Sequence, residues 1–366
     1  MSAQMTQLEK PADLPRSRLE TLPVEILELI FLFSLEINLP RASPYLSRAL
    51  SSPILFTWLI RLVFSSTNPS SRHGFFTSEF LPPPLDFWGL SLEQRQHLQT
   101  TLLACRWCTF PLMRKCQREY VEHVLRNKCA NLVFSPEDQK TLENLGPRLD
   151  NPEIDRQQGA HERRGKGDLI VNAQLSDRNT ETSTSTSNST INSTKTEDEN
   201  ESAKSKQRVD RKVAIWFHRG AVQIREPNEV YYENDLFRLP ASTPMSPGLI
   251  PDKLLQSPWS DSQFDFLHLL SSDFYIDDDI YPNNRSSEIT TRLIRKREIE
   301  PLRRLLRMEF RLANCRVPEL WRVEHAHYQL IRRIAIGRQD PLVQLVKEER
   351  WNDLVRIGNT DLYCFF

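Results

Sequence analysis

Thiols and an imidazole crowd one stretch of the chain: Cys105 and Cys108 stand three residues apart, and Cys116, His123 and Cys129 follow. Thiolates one helical turn apart can share a zinc ion, and a downstream His and Cys could complete a tetrahedral set. The pattern stops short of a zinc motif, because no second Cys-x2-Cys occurs. Trp107, Phe110, Met113 and Tyr120 interleave with these cysteines at helical spacing, and cysteine packs well as a small apolar residue. A helix-pair core is the favoured reading, and no metal site is expected. His325 and His327 would point to different sides of a helix. Residues 159–166 resemble a phosphate-binding loop, but five residues separate the glycines where four are required, and Gly167 stands where Ser or Thr would meet magnesium. Neither Gly-x-Ser-x-Gly nor His-Glu-x-x-His occurs. With no catalytic constellation, neither an enzyme nor a cofactor is expected.

Charge narrows the partners. The chain has 48 Lys plus Arg against 48 Asp plus Glu, so global attraction to nucleic acid or to an anionic membrane is not indicated. Locally, residues 255–284 hold six aspartates and no Lys or Arg, whereas 285–338 hold fourteen Lys or Arg against six glutamates. Basic helices can bind nucleic acid, but a solvated face partly matched by the adjacent acidic run is the simpler account. No apolar run approaches the roughly 18–20 residues that span a bilayer, so no membrane is expected. The polar N-terminus carries no apolar leader core, and with six cysteines the expectation is reduced thiols in the cytoplasm and/or nucleus.

The elements that would position any site fall into five stretches. Residues 1–18 read as a flexible tail and 19–64 as short apolar helices. Residues 65–148 open with a proline-bearing loop and continue as three helices. The first has a capping box at Ser91 and Gln94, the second starts near Pro111, and the third starts at Ser135-Pro136 with Gly146 suited to its end. Residues 149–210 are rich in Ser, Thr, Asn and charge, and nearly devoid of large apolar side chains, so a disordered insert is expected. Residues 211–366 read as an α+β, mostly helical unit. In it Val213, Ile215 and Phe217 alternate, Arg219-Gly220 turns, and Val222 and Ile224 alternate again as a β-hairpin. Ser260 and Gln263 cap a helix, and Asp340-Pro341 opens another after Gly337. The fold class expected is mainly α.

The window 23–35 is the most informative. Nine of its thirteen residues are Val, Ile, Leu or Phe, with Pro23 suited to the first helical position. A helix this apolar needs cover on nearly all sides. The helices expected after it, at 39–43, 44–51 and 53–64, are short, and a unit of about 45 residues buries little more than half of its unfolded surface. Some of Leu22, Ile26, Leu29, Ile30 and Phe33 should stay uncovered and mark a protein partner. The stretch Leu22-Pro23-Val24-Glu25-Ile26-Leu27-Glu28-Leu29-Ile30-Phe31 resembles the opening of an F-box, whose usual pattern is Leu-Pro-x-Glu-Ile-Leu-x-x-Ile-Phe. Residues 38–50 resemble its second half in the F-box-like group of filamentous fungi. The Val-Cys-Arg-x-Trp element of many F-boxes is absent. The resemblance covers residues 19–64 and implies a three-helix F-box that binds the Skp adaptor of Skp–cullin–F-box ubiquitin ligases, while the rest of the chain holds a protein substrate. The positions matching the adaptor contacts are Leu22, Pro23, Ile26, Leu29, Ile30, Leu35 and Leu39. The competing expectation is a helical scaffold, or nucleic-acid-associated protein, whose N-terminal helices are only core.

Overall fold

The computed structural model describes residues 17–68, 71–72, 74–151, 168–175, 210–226, 236–243, 247–277, 285–311 and 318–357. Among them are twelve α-helices, which with short 3₁₀ turns make up about half of the described residues. A five-stranded antiparallel sheet and a two-stranded ribbon complete the fold. No described helix is long and apolar enough to cross a membrane.

A 3₁₀ turn (Leu19–Thr21) leads into α1 (Val24–Ser34). Pro23 is the extended N-cap of α1 rather than its first helical residue. Leu35 ends the helix in the left-handed region (φ 49), which is uncommon for a bulky side chain. A 3₁₀ turn (Leu39–Arg41) stands where a helix over 39–43 was expected, since Ser43, directly before Pro44, is extended and cannot continue it. The Ser43 Oγ accepts from the Leu46 N–H at 3.2 Å and opens α2 (Pro44–Ala49). α3 (Pro53–Phe64) buries Leu59, Ile60, Leu62, Val63 and Phe64 completely.

α4 (Leu92–Ala104) begins with the expected reciprocal box: the Ser91 Oγ accepts from the Gln94 N–H at 3.1 Å, and the Gln94 Oε1 accepts from the Ser91 N–H at 2.9 Å. α5 (Phe110–Lys128) buries Met113, Cys116, Tyr120 and Val124, the periodic face read from the sequence. β1 (Leu132–Phe134) and α6 (Pro136–Glu143) follow, α6 being capped by Ser135. Gly146 does not end α6. Asn144 does, and Gly146 with Pro147 opens α7 (Gly146–Asp150).

The sheet runs β1–β2–β3–β4–β5, with β2 (Leu169–Leu175), β3 (Asp210–Trp216), β4 (Ala221–Arg225) and β5 (Leu236–Arg238). β3 and β4 are the expected hairpin, with Val213 opposite Ile224 and Ile215 opposite Val222. β2 corrects the reading of 149–210 as wholly disordered. Leu169, Val171 and Ala173 alternate there, and Val171 and Ala173 are buried, so this short apolar run gains enough packing to order as a strand. At its ends Leu149 and Asp150 belong to α7 and Asp210 to β3, while residues 152–167 and 176–209, and residues 1–16 of the expected tail, lie outside the described residues. The sheet therefore takes one strand each from the middle segment and the insert and three from the C-terminal unit. Deleting all of 150–210 should strip β2 from between β1 and β3 and lower the melting temperature by at least about 5 °C. Gln174 faces Asp210 across the β2–β3 pair. Replacing only 177–208 with a short turn should therefore cost little, since closure entropy changes slowly with loop length. Differential scanning calorimetry on the two deletions checks this.

The C-terminal helices are α8 (Asp261–Ser271), α9 (Arg285–Lys296), α10 (Ile299–Leu306), α11 (His325–Ile334) and α12 (Pro341–Ile357, kinked at Arg350). The ribbon β6 (Glu309–Phe310) and β7 (Glu319–Leu320) lies between α10 and α11. Ser260 caps α8, and Asp340 Oδ1 accepts from the Leu342 N–H at 3.0 Å at the start of α12. α5 is the hub, packed on α3, α7, α8, β4 and β5. One hydrophobic core runs from Leu27 to Val346 without a break at any expected boundary. Buried Gln99 shows the join: its Nε2 donates to the Val63 carbonyl at 3.0 Å and to the Ala241 carbonyl at 2.8 Å, tying α3 to the chain after β5.

Candidate functional site

α1 has two apolar faces with different fates. Leu27, Phe31 and Leu32 turn inward and are buried, each worth roughly 1.5–3 kcal/mol of transfer free energy. Ile26, Leu29, Ile30 and Phe33, at i, i+3, i+4 and i+7, form the other face. Ile26 and Leu29 are each 42% exposed and Phe33 is 74% exposed, whereas Ile30 is half-buried. Pro23 is exposed at the head of the helix. Leu22, Leu35 and Leu39 are half-buried and pack on the margin of the core. Of the seven positions read from the sequence, Pro23, Ile26 and Leu29 thus face solvent, and the other four stand at the edge. Phe33 was not among the seven, although the same helical spacing picks it out. Val24 and, at the start of α3, Ile54 are exposed as well.

The cysteine stretch is packing. Cys105, Cys108, Cys116 and Cys129 are buried free thiols, and burial pushes Cys108, Cys116 and Cys129 up to about 12. The Lys253 Nζ donates to the carbonyls of Cys105 and Cys108, so the turn between α4 and α5 is held by its backbone. His123 stacks on Phe80 and hydrogen-bonds the Phe75 carbonyl at 2.6 Å. Among the described residues no three His, Cys, Asp or Glu side chains gather where they could hold a metal ion.

The basic stretch 285–338 is matched by carboxylates, several of them beyond the acidic run 255–284. Arg304 pairs with Asp261 within that run, but Arg285 pairs with Asp252, Arg297 with Asp340, and Arg303 with Glu348. Trp321 is buried and donates its indole N–H to Thr290 Oγ1 at 2.8 Å, while Trp259 is half-buried and stacked on Phe264.

His325 is exposed and His327 buried, as their spacing requires. The His327 Nδ1 accepts from the Glu324 N–H at 2.9 Å, so its proton sits on Nε2, 3.1 Å from the Ser287 carbonyl. Burial holds its pKa below the ordinary histidine range. The group therefore contributes fully above pH about 6.5, and that contribution is lost as pH falls from there toward its folded value. The chain should melt lower at pH 5.5 than at pH 7.5, and His327→Gln should narrow the gap. An unchanged gap would contradict this account.

No known protein family, curated protein or solved structure matches the chain in comparison.

Proposed function

We propose that the chain is a non-enzymatic adaptor. In this reading α1, the turn after it, α2 and α3 form an F-box that docks on the Skp adaptor, and the downstream part presents a protein substrate to a Skp–cullin–F-box ubiquitin ligase. The observation that carries the proposal is the uncovered stripe of Ile26, Leu29 and Phe33. A chain of 366 residues has ample apolar surface to cover one helix, yet this face stays open where the F-box-like motif places its partner contacts. The scaffold reading accounts for Leu27, Phe31 and the buried length of α3, but gives the outer face no role. The basic stretch adds little to a nucleic-acid reading, because Arg285, Arg297 and Arg303 already face carboxylates. Co-expression with a Skp adaptor tests the proposal: one complex should elute from a sizing column. Separate elution of the two chains at micromolar concentration would overturn it.

A further inference from the structure

On the side of the molecule lined by α5, α7, α8 and α10, a cavity of about 640 Å³ opens beside the turn between β3 and β4. Arg114, Lys115 and Arg118 of α5 line it, as do Arg304 and Arg307 at the end of α10. The lining itself holds these five cations and two carboxylates, Asp150 and Asp265. The volume is that of a small-molecule site. Phe110, Leu149 and Met308 supply its apolar surface.

The cavity is built rather than incidental. The Arg114 guanidinium donates to the carbonyls of Phe217 and Leu149, at 3.2 and 2.9 Å, and to Gln117 Oε1 at 2.6 Å. It thereby fixes the hairpin turn and α7 against α5. His218 of that turn meets His268 of α8 with Nε2 and Nδ1 2.7 Å apart, closing the remaining corner. Of the other cations, Arg118 faces Asp150 within the lining, whereas Lys115, Arg304 and Arg307 pair with carboxylates outside it. Arg118 meets Asp150 at 2.5 Å and Arg304 meets Asp261 at 2.5 Å, but the two carboxylates are 61% and 91% exposed. Lys115 lies 3.8 Å from Glu119, and Arg307 is held by the largely buried Glu349 at 2.6 Å. The pairs of Arg118 and Arg304, made to exposed carboxylates, are weak and exchange readily for better acceptors. A phosphate offers three oxygens that match the fork of an arginine, and walls of low dielectric strengthen the attraction.

We propose that this cavity binds a small phosphomonoester, its phosphate between Arg118 and Arg304 and its apolar or aromatic body over Phe110 and Met308. The site is independent of the adaptor reading. The probe is phenyl phosphate, titrated into the full chain by calorimetry at low salt, with inorganic phosphate and phenol as separate titrants. Phenyl phosphate should saturate one site, compete with inorganic phosphate and bind at least tenfold tighter than it. Phenol alone should not bind. Arg118→Gln with Arg304→Gln should weaken phenyl phosphate at least tenfold and leave the melting temperature unchanged, while Ile26→Asp should leave ligand binding intact. Absence of saturable binding at millimolar phenyl phosphate, or equal binding by the double variant, would overturn the proposal. Equal affinity for phenyl and inorganic phosphate would overturn it too, because the apolar walls would then contribute nothing.

Discussion

A chain carrying Ile26→Asp should lose the Skp adaptor on co-purification while melting within about 2 °C of the unsubstituted protein. Two opposite consequences of one carboxylate give this result. In the free chain Ile26 is 42% exposed, so the new group keeps its water. It also sits in the first turn of α1, where the helix dipole favours an acid. In a complex that covers the stripe, the same carboxylate would be buried without a partner, at a cost of several kcal/mol, or roughly a thousandfold in affinity. Leu29→Asp should behave in the same way. The neighbouring Leu27 reports the opposite: it is fully buried, so Leu27→Ala should cost about 2–5 kcal/mol of stability through the cavity it leaves. Retention of the adaptor by both the Ile26 and the Leu29 variants would end the F-box reading. A parallel collapse of melting temperature in those variants would instead place the outer face of α1 in the core.

How far the fold could be read from the sequence depended on the range of the interaction. Ser91 with Gln94, and Ser135, Ser260 and Asp340, each act on an amide within three residues, and all were legible as helix starts. The β3–β4 hairpin was legible because a four-residue turn joins its strands. β2 was not, since its partners Leu132 and Ile215 lie far along the chain in either direction and its flanks are polar. The α1 stripe was legible as an excess of apolar surface, but which side would stay open depended on where α2 and the core came to lie. The cavity beside the β3–β4 turn had no local signal. Arg114 and Arg118 lie off the periodic apolar face of α5, and Arg304 belongs to a basic run whose meaning depends on the elements it packs against.

The same hairpin turn carries the second large effect: Gly220→Val should destabilise the chain by on the order of 3–5 kcal/mol. Gly220 has φ +56, where a β-branched side chain is strained by about 1–2 kcal/mol. A Cβ there would also stand 2.7 Å from the Leu239 carbonyl oxygen and 2.8 Å from the Gln117 Cγ. Neither neighbour can retreat freely. The Leu239 N–H donates to the Gly220 carbonyl at 3.2 Å, and Gln117 Oε1 holds the Arg114 guanidinium. Gly74 separates the two penalties, for its φ is +65 but a Cβ would meet nothing within 4 Å. Gly74→Ala should therefore cost about 1 kcal/mol, the conformational part alone, and Gly220→Ala should cost clearly more. Urea denaturation of the two alanine variants measures the difference. Equal losses would mean that the contacts of Gly220 relax without cost. If they relax only at a cost, the displaced Gln117 must loosen Arg114, and the Gly220 variants should also bind phenyl phosphate more weakly, an effect that Gly74→Ala should not share.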